Sequence, residues 1–344
     1  MKKITLISSL LITLSFTNLG AQDISQLLKG VDSFAGYVIP ALPTASVIGN
    51  NWSDAWIGDF LGLPPHFGAG ATVGIISLPL KGFQDIINVF PTAALPKELS
   101  YLGDFGLPFP VYTVEGRIGG FILPFDVGVK LGMLPSDLNT GDFALDYMLV
   151  GADVRYALLK DGLLPGISVG AGVNYLRGGI GYKFPDITLA SINVPGDQVY
   201  SIGLANPTTS FYWEATVVDV KAQISKSLIL ITPYAGVGAS LAQSTKAGAR
   251  FKSSLVIRDS LNTVVTSSDA LLNSLNNATG SQFTNQGLTR EVSLDGTTTF
   301  RIFGGASLNL TILKIDLQGI WSFGNLNLPE SGSLALSLNA RIQL

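Results

Sequence analysis

The chain is very apolar, yet past residue 21 it contains no run of about 18 apolar residues such as a transmembrane helix needs. Mean hydropathy is +0.41, and charged residues make up 13%, about half of the roughly 25% usual in globular domains. The apolar residues come in short runs broken by Gly, Pro, Asn and Asp. Within hydrocarbon, only helices and closed barrels satisfy every backbone N–H and C=O. With helices set aside, the fold expected is all-β: an antiparallel transmembrane β-barrel of 10–14 strands, preceded by a short plug-like helical segment.

The pattern that tests this is alternation over about 10 residues, apolar on one parity and small or polar on the other. From Val111 to Phe121, the even positions Tyr112, Val114 and Ile118 face lipid, while Thr113, Glu115, Arg117 and Gly119 face the lumen. After a Leu123-Pro124-Phe125 turn, Val127, Val129, Leu131 and Met133 oppose Asp126, Gly128, Lys130 and Gly132. Met148 to Tyr156 and Ile167 to Tyr175 repeat the pattern around a Lys160-Asp161-Gly162 turn. So do Thr216 to Ile224, Ala235 to Leu241, Ile302 to Leu310, Ile315 to Phe323 and Leu334 to Leu344. With Phe67 to Leu78 the minimum is ten strands. Gly178 to Phe184 with Ile187 to Ile202, and Arg250 to Ile257 with Glu291 to Thr298, are candidate extra hairpins. A soluble antiparallel sandwich also alternates, but it would charge its polar parity, which here is mostly Gly, Ser, Thr and Asn. Connections alternate short and long, as periplasmic turns and external loops do. Two long external loops are expected. One is Leu80 to Phe109, helical over Lys81 to Phe90. The other is Gln243 to Thr298, helical over Leu261 to Asn277.

The chain's start reads as a cleaved signal peptide over residues 1–21: Lys2 and Lys3, an apolar stretch from Ile4 to Leu19, then Gly20-Ala21. There is no Cys, which excludes a lipidated N-terminus, a disulfide scaffold, a thiolate metal site and a Cys nucleophile. The final strand, apolar at alternate positions back from Leu344, resembles the C-terminal signal read by the barrel-assembly machinery, with Leu in place of the usual aromatic. Export, the barrel pattern and this ending imply the outer membrane of a Gram-negative-type bacterium, with outer-membrane lipid around the wall.

Residues 22–64 do not alternate. Ile24, Leu27, Leu28 and Val31 have helical spacing, a Pro-rich piece runs from Val38 to Ser46, and Gly49-Asn50-Asn51 reads as a turn. Ser53 or Asp54 is a candidate cap for a short helix through Phe60. A compact segment ahead of a barrel over 65–344 resembles the N-terminal hatch of FadL-type fatty-acid transporters. That resemblance implies a plug in the lumen; a periplasmic tail is the alternative.

The inward parity carries Glu115, Arg117, Lys130, Asp153, Arg155, Asp219, Lys221, Arg301, Lys314, Asp316 and Arg341. Four acid–base pairs stand two apart on one strand: Glu115/Arg117, Asp153/Arg155, Asp219/Lys221 and Lys314/Asp316. Such side chains either interlock as a stiff filling or form a charged constriction, and the small excess of bases favours anions. No enzyme is expected. Outer-membrane phospholipases and omptin-type proteases resemble this architecture, but both depend on a placed histidine. The single histidine here, His66, has no evident partner. No cofactor or metal site is expected, and the absence of a basic stripe excludes nucleic acid. The function expected is a channel or transporter for small or hydrophobic solutes with an N-terminal plug, its partner a hydrophobic or small anionic solute, with a closed structural or adhesion barrel acting through its external loops as the alternative.

Overall fold

In the computed structural model the residues described are 21–57, 66–78, 107–120, 123–134, 143–183, 187–194, 198–258, 264–265, 288–324 and 332–344. Residues 1–20, on which the signal-peptide expectation rests, lie outside them, as does the expected helix at 81–90. Among the described residues one helix, α1 (Ala21–Ser46), precedes thirteen strands. These are β1 (His66–Leu78), β2 (Leu107–Gly119), β3 (Phe125–Met133), β4 (Phe143–Leu159), β5 (Gly166–Lys183), β6 (Ile187–Val194), β7 (Gln198–Ser225), β8 (Ile231–Arg258), β9 (Val264–Val265), β10 (Leu288–Ser293), β11 (Thr297–Leu310), β12 (Leu313–Phe323) and β13 (Ser333–Gln343).

Ten of them form a closed antiparallel ring in the order β1-β2-β3-β4-β5-β7-β8-β11-β12-β13. The last strand returns to the first, pairing Gly68 with Gln343 through to Ile76 with Ala335. At its foot Leu344 N donates to Phe67 O at 2.8 Å. Closure leaves no free edge, the condition for strands to stand in hydrocarbon.

The alternation follows the sequence pattern, with β13 buried and exposed at strictly alternate positions. Large apolar side chains point outward, among them Val73, Val114, Val129, Leu317 and Leu338. That arrangement is inside-out for a protein in water. The outward positions stay uncharged until Asp146, Arg177, Glu214 and Lys246. There they pair across strands, Asp146 with Arg177 at 3.7 Å and Glu214 with Lys246 at 2.9 Å. On β7 the uncharged outward stretch runs over residues 216–224, the length of about 9–11 residues that a tilted strand needs to cross a bilayer. These pairs therefore mark one rim of an apolar belt.

One end of the ring carries the short connections 120–124, 160–165, 226–230 and 311–312, together with the start of β1 and the end of β13. Thr311, at φ 58°, makes the tightest of these turns. The rim of paired charges lies toward the other end, where the connections are long. By the usual asymmetry of such barrels the short-turn end is the inner, periplasmic one.

Above the rim β7 and β8 continue, each 28 residues long, and stay paired as far as Ser201 with Arg258. β6 pairs with β7, and β9 and β10 pair with β8, so the candidate extra hairpins enlarge this raised sheet and add nothing to the ring. The expected loop 243–298 thus begins and ends as strand. Its Ser- and Thr-rich composition reads as loop because strands standing in water need no apolar outer face. A bulge at Gln243 switches the outward parity of β8 from Leu241 to Ser244 where the belt ends.

The N-terminal segment departs from its sequence reading in two places. α1 runs unbroken through the Pro-rich piece, with Pro40 and Pro43 inside it. An interior proline costs about 3 kcal/mol. Burial of Val31, Phe34, Val38, Ile39 and Leu42, at about 1.5–3 kcal/mol each, outweighs both. Residues 51–57 are not helical. The carboxylate of Asp54, expected to cap a helix, is held by two cations of the barrel wall instead.

Candidate functional site: the occupied lumen

The inward side chains separate by height. Nearer the inner end they are charged: Glu115 and Arg117 on β2, Asp153 and Arg155 on β4, Asp219 and Lys221 on β7, and Lys314 and Asp316 on β12. Further up the same strands they are apolar: Val111, then Tyr147 and Leu149, then Trp213 to Val217, then Ile320. The chain inside the barrel matches both layers. A helix satisfies its own backbone and can face an apolar wall, whereas extended chain brings bare amides and carbonyls that need polar partners. Accordingly α1 packs its apolar face in the upper layer, where Phe34 meets Phe211 edge-on at 5.3 Å between ring centroids. Residues 47–57 thread the charged layer below.

The wall takes up the backbone of this segment group by group. Lys130 Nζ donates to the carbonyls of Ser46 and Ile48, the latter at 2.7 Å. Lys221 Nζ donates to Asn50 O at 2.6 Å, and Gln223 Nε2 to Trp52 O at 2.7 Å. Arg155 donates to Asp54 O at 2.6 Å. In the other direction Ala55 N donates to Ser225 Oγ at 2.8 Å and Ile57 N to Asp126 at 3.0 Å. Two side chains complete the fit. Asp54 accepts from Lys314 at 2.8 Å and from Arg341 at 2.9 Å. Trp52 lies between the guanidinium groups of Arg117 and Arg341, at 5.5 and 5.0 Å from its ring, and donates Nε1 to Glu115 at 2.7 Å. Gly68 makes room for that indole, because a Cβ there would overlap the Trp52 ring. Gly49 turns the segment at φ +87°, a conformation that L side chains rarely adopt.

Trp52→Phe loses a hydrogen bond to a buried carboxylate together with part of the ring's packing beside Gly68. It is expected to lower stability by about 1.5–3 kcal/mol, read as the urea midpoint of the micelle-refolded protein. An unchanged midpoint would show that this contact contributes nothing.

All eleven charged residues picked out on the inward parity are buried in this layer. Their ionic partners are not the opposite charges two apart on the same strand but residues on the adjacent strand, on the strand beyond it, or on the lumenal segment. Arg117 of β2 reaches Asp126 of β3 and, at 2.6 Å, Asp153 of β4. Arg155 of β4 also reaches Asp126, at 2.8 Å, and Asp153 pairs onward with Lys221 of β7 at 3.2 Å. Arg301 chelates Asp219, and Tyr234 OH donates to Asp316 at 3.1 Å. Long inward side chains converge within the lumen, so Arg117, Lys221 and Arg301 reach carboxylates past the intervening strand. Asp126 and Asp54 complete the set. Asp126 shares the inward parity and stands opposite Arg155 in the ladder, a register that sequence alone does not give. Asp54 lies off any strand and had no periodicity to mark it.

Among the described residues the wall buries seven cations, Arg117, Lys130, Arg155, Lys221, Arg301, Lys314 and Arg341. Against them stand five carboxylates, Glu115, Asp126, Asp153, Asp219 and Asp316. The lumenal segment supplies the sixth, Asp54, and main-chain carbonyls for several of the cations. His66 is buried at the foot of β1, opposite Gly119 in the ladder. Among the described residues no group of three or more His, Asp or Glu side chains could hold a metal ion.

A family model described as Lsa36-like matches residues 117–340. No curated protein matches the chain. Among solved structures, similarity is found to Ail, the attachment invasion locus protein of Yersinia pestis, at 11% identity and TM-score 0.28, covering 81% of this chain and 97% of that one. The outer membrane protease OmpT of Escherichia coli is 9% identical at TM-score 0.36, covering 84% and 98%. A FadL homologue of Pseudomonas aeruginosa is 9% identical at TM-score 0.25, covering 81% and 90%.

Proposed function

The chain belongs to the Lsa36-like family, and we propose that it is an outer-membrane channel for small anionic solutes, held closed by its own N-terminal segment. The uncharged outer belt and the short inner turns support the outer-membrane location. The reading rests on one observation: the wall of the lumen buries more cations than carboxylates, and the balance comes from residues 46–54. Oxygen atoms of the chain occupy the places that a passing anion's oxygens would take. With the segment displaced, Lys130, Lys221, Lys314 and Arg341 line a basic passage, and a ring of basic side chains favours anions.

The test is the reversal potential, in a salt gradient across a planar bilayer, of the barrel lacking residues 21–57. Full-length protein should be silent and the shortened barrel conductive with anion preference. Lys130→Glu together with Lys314→Glu should move that preference toward cations. A shortened barrel that conducts but prefers cations would sink the anion reading.

A second reading has its own support: the raised sheet of β7 and β8 with β6, β9 and β10 stands beyond the belt, as a surface that meets the exterior would. On that reading the barrel is a mount, and the shortened version stays silent because its side chains close the lumen.

A further inference from the structure

The direction in which residues 21–57 pass through the barrel fixes where the chain ahead of α1 must lie. Asp32, eleven residues into α1, pairs with Arg290 of β10 at 2.6 Å, on the raised sheet above the belt, and both side chains are partly exposed. Thr44 meets Ser322 and Ser333, at the upper ends of β12 and β13. Lys130 then takes the carbonyls of Ser46 and Ile48 in mid-barrel. Ala55 and Ile57 reach Ser225 and Asp126, the last residue of β7 and the second of β3, both at the short-turn end. Contacts thus descend in sequence order from the long-loop mouth to the short-turn mouth, where β1 begins and the chain turns back up the wall.

We infer that the start of α1, and whatever precedes it in the exported chain, is displayed on the outer face of the membrane, and that the segment runs inward through its own barrel to meet β1. At a rise of about 1.5 Å per residue, the eleven residues ahead of Asp32 carry the start of α1 about 16 Å from the Arg290 pair. Lys29, one turn before that pair, is exposed. The N-terminal arm of this protein is therefore open to capture, cleavage or pulling from outside the cell, whether or not the lumen conducts.

The chain has no cysteine, so single cysteines report position without background. Lys29→Cys is compared with Leu163→Cys, a fully exposed position in the turn between β4 and β5 at the inner end. Each is treated on intact cells, and again after permeabilisation, with a membrane-impermeant maleimide, in cells whose outer-membrane fraction contains the folded barrel. Lys29→Cys should label on intact cells to the level seen after permeabilisation, and Leu163→Cys only after it. A short protease-cleavable tag placed between Gln22 and Asp23 should likewise be cut on intact cells. Any result in which Lys29→Cys needs permeabilisation, or Leu163→Cys does not, overturns the inference. The outcome is independent of whether the shortened barrel conducts.

Discussion

Asp54→Ala is expected to destabilise the folded barrel by about 3–5 kcal/mol and, on the proposed channel function, to let it open intermittently. The Asp54 carboxylate accepts from Lys314 through both oxygens, at 2.8 Å each, and from Arg341 at 2.9 Å. Both cations are buried on the wall, and the attraction of the shared carboxylate offsets their desolvation. Removing one member of a buried ion pair leaves charge without compensation, which costs more than the intact pair ever contributes. Lys314 loses its carboxylate and Arg341 keeps only that of Asp316, at 3.8 Å, so water must enter the charged layer to solvate them. Asp54 is also the one carboxylate on residues 47–57, so its loss releases the strongest electrostatic hold on that segment. Asp54→Asn, which keeps shape and an acceptor oxygen, should fall between wild type and Ala in both readouts. Urea unfolding in micelles and single-channel recording check the two parts separately. A variant as stable and as silent as wild type would show that the segment does not depend on this contact.

Asp126→Ala should cost at least as much, chiefly through the wall and only in one hydrogen bond through the segment. Its two oxygens accept from Arg117 NH1, from Arg155 Nε at 2.9 Å and NH2 at 2.8 Å, and from Ile57 N at 3.0 Å. It is fully buried, and so is Arg155. Arg117 keeps Asp153, and Arg155 keeps only a main-chain carbonyl. The expected loss is about 3–5 kcal/mol, again read from the urea midpoint. Replacing Arg155 with Met alongside Asp126→Leu should recover part of it, because an apolar pair of similar size leaves no orphaned charge. If the double variant is no better than Asp126→Ala, the loss comes from packing at β3 and not from unpaired charge.

The wall of the barrel was legible in the sequence because a two-residue period and a lipid exterior act on every strand alike. Val127 to Met133 and Leu334 to Leu344 show it plainly, since each outward side chain meets only hydrocarbon. The inward charges were legible for the same reason, as exceptions on the other parity. Their partners were not, because ion pairing depends on which strands stand side by side and in what register. Arg117 and Asp126 are nine residues apart in sequence but pair across β2 and β3, while Arg301 and Asp219 join strands 82 residues apart. Least legible was the lumenal segment. Pro40 and Pro43 argue against a helix in water, and only the apolar upper wall of the barrel makes one favourable there. The role of Asp54 depends in the same way on Lys314 and Arg341, which lie more than 250 residues further on.

The placement of the later part of α1 and of residues 47–57 inside the barrel is tested most directly by a disulfide. Thr44 Oγ1 and Ser333 Oγ are 3.2 Å apart, within reach of a bridge between cysteines at those positions. In the background of a chain without cysteine, Thr44→Cys with Ser333→Cys should oxidise almost completely in the folded barrel. Unreduced gels of the unfolded protein would show this as faster migration. Thr44→Cys paired with the outward-facing position in Leu334→Cys should not cross-link. Free thiols at 44 and 333, or equal cross-linking to 334, would place the segment somewhere other than the lumen.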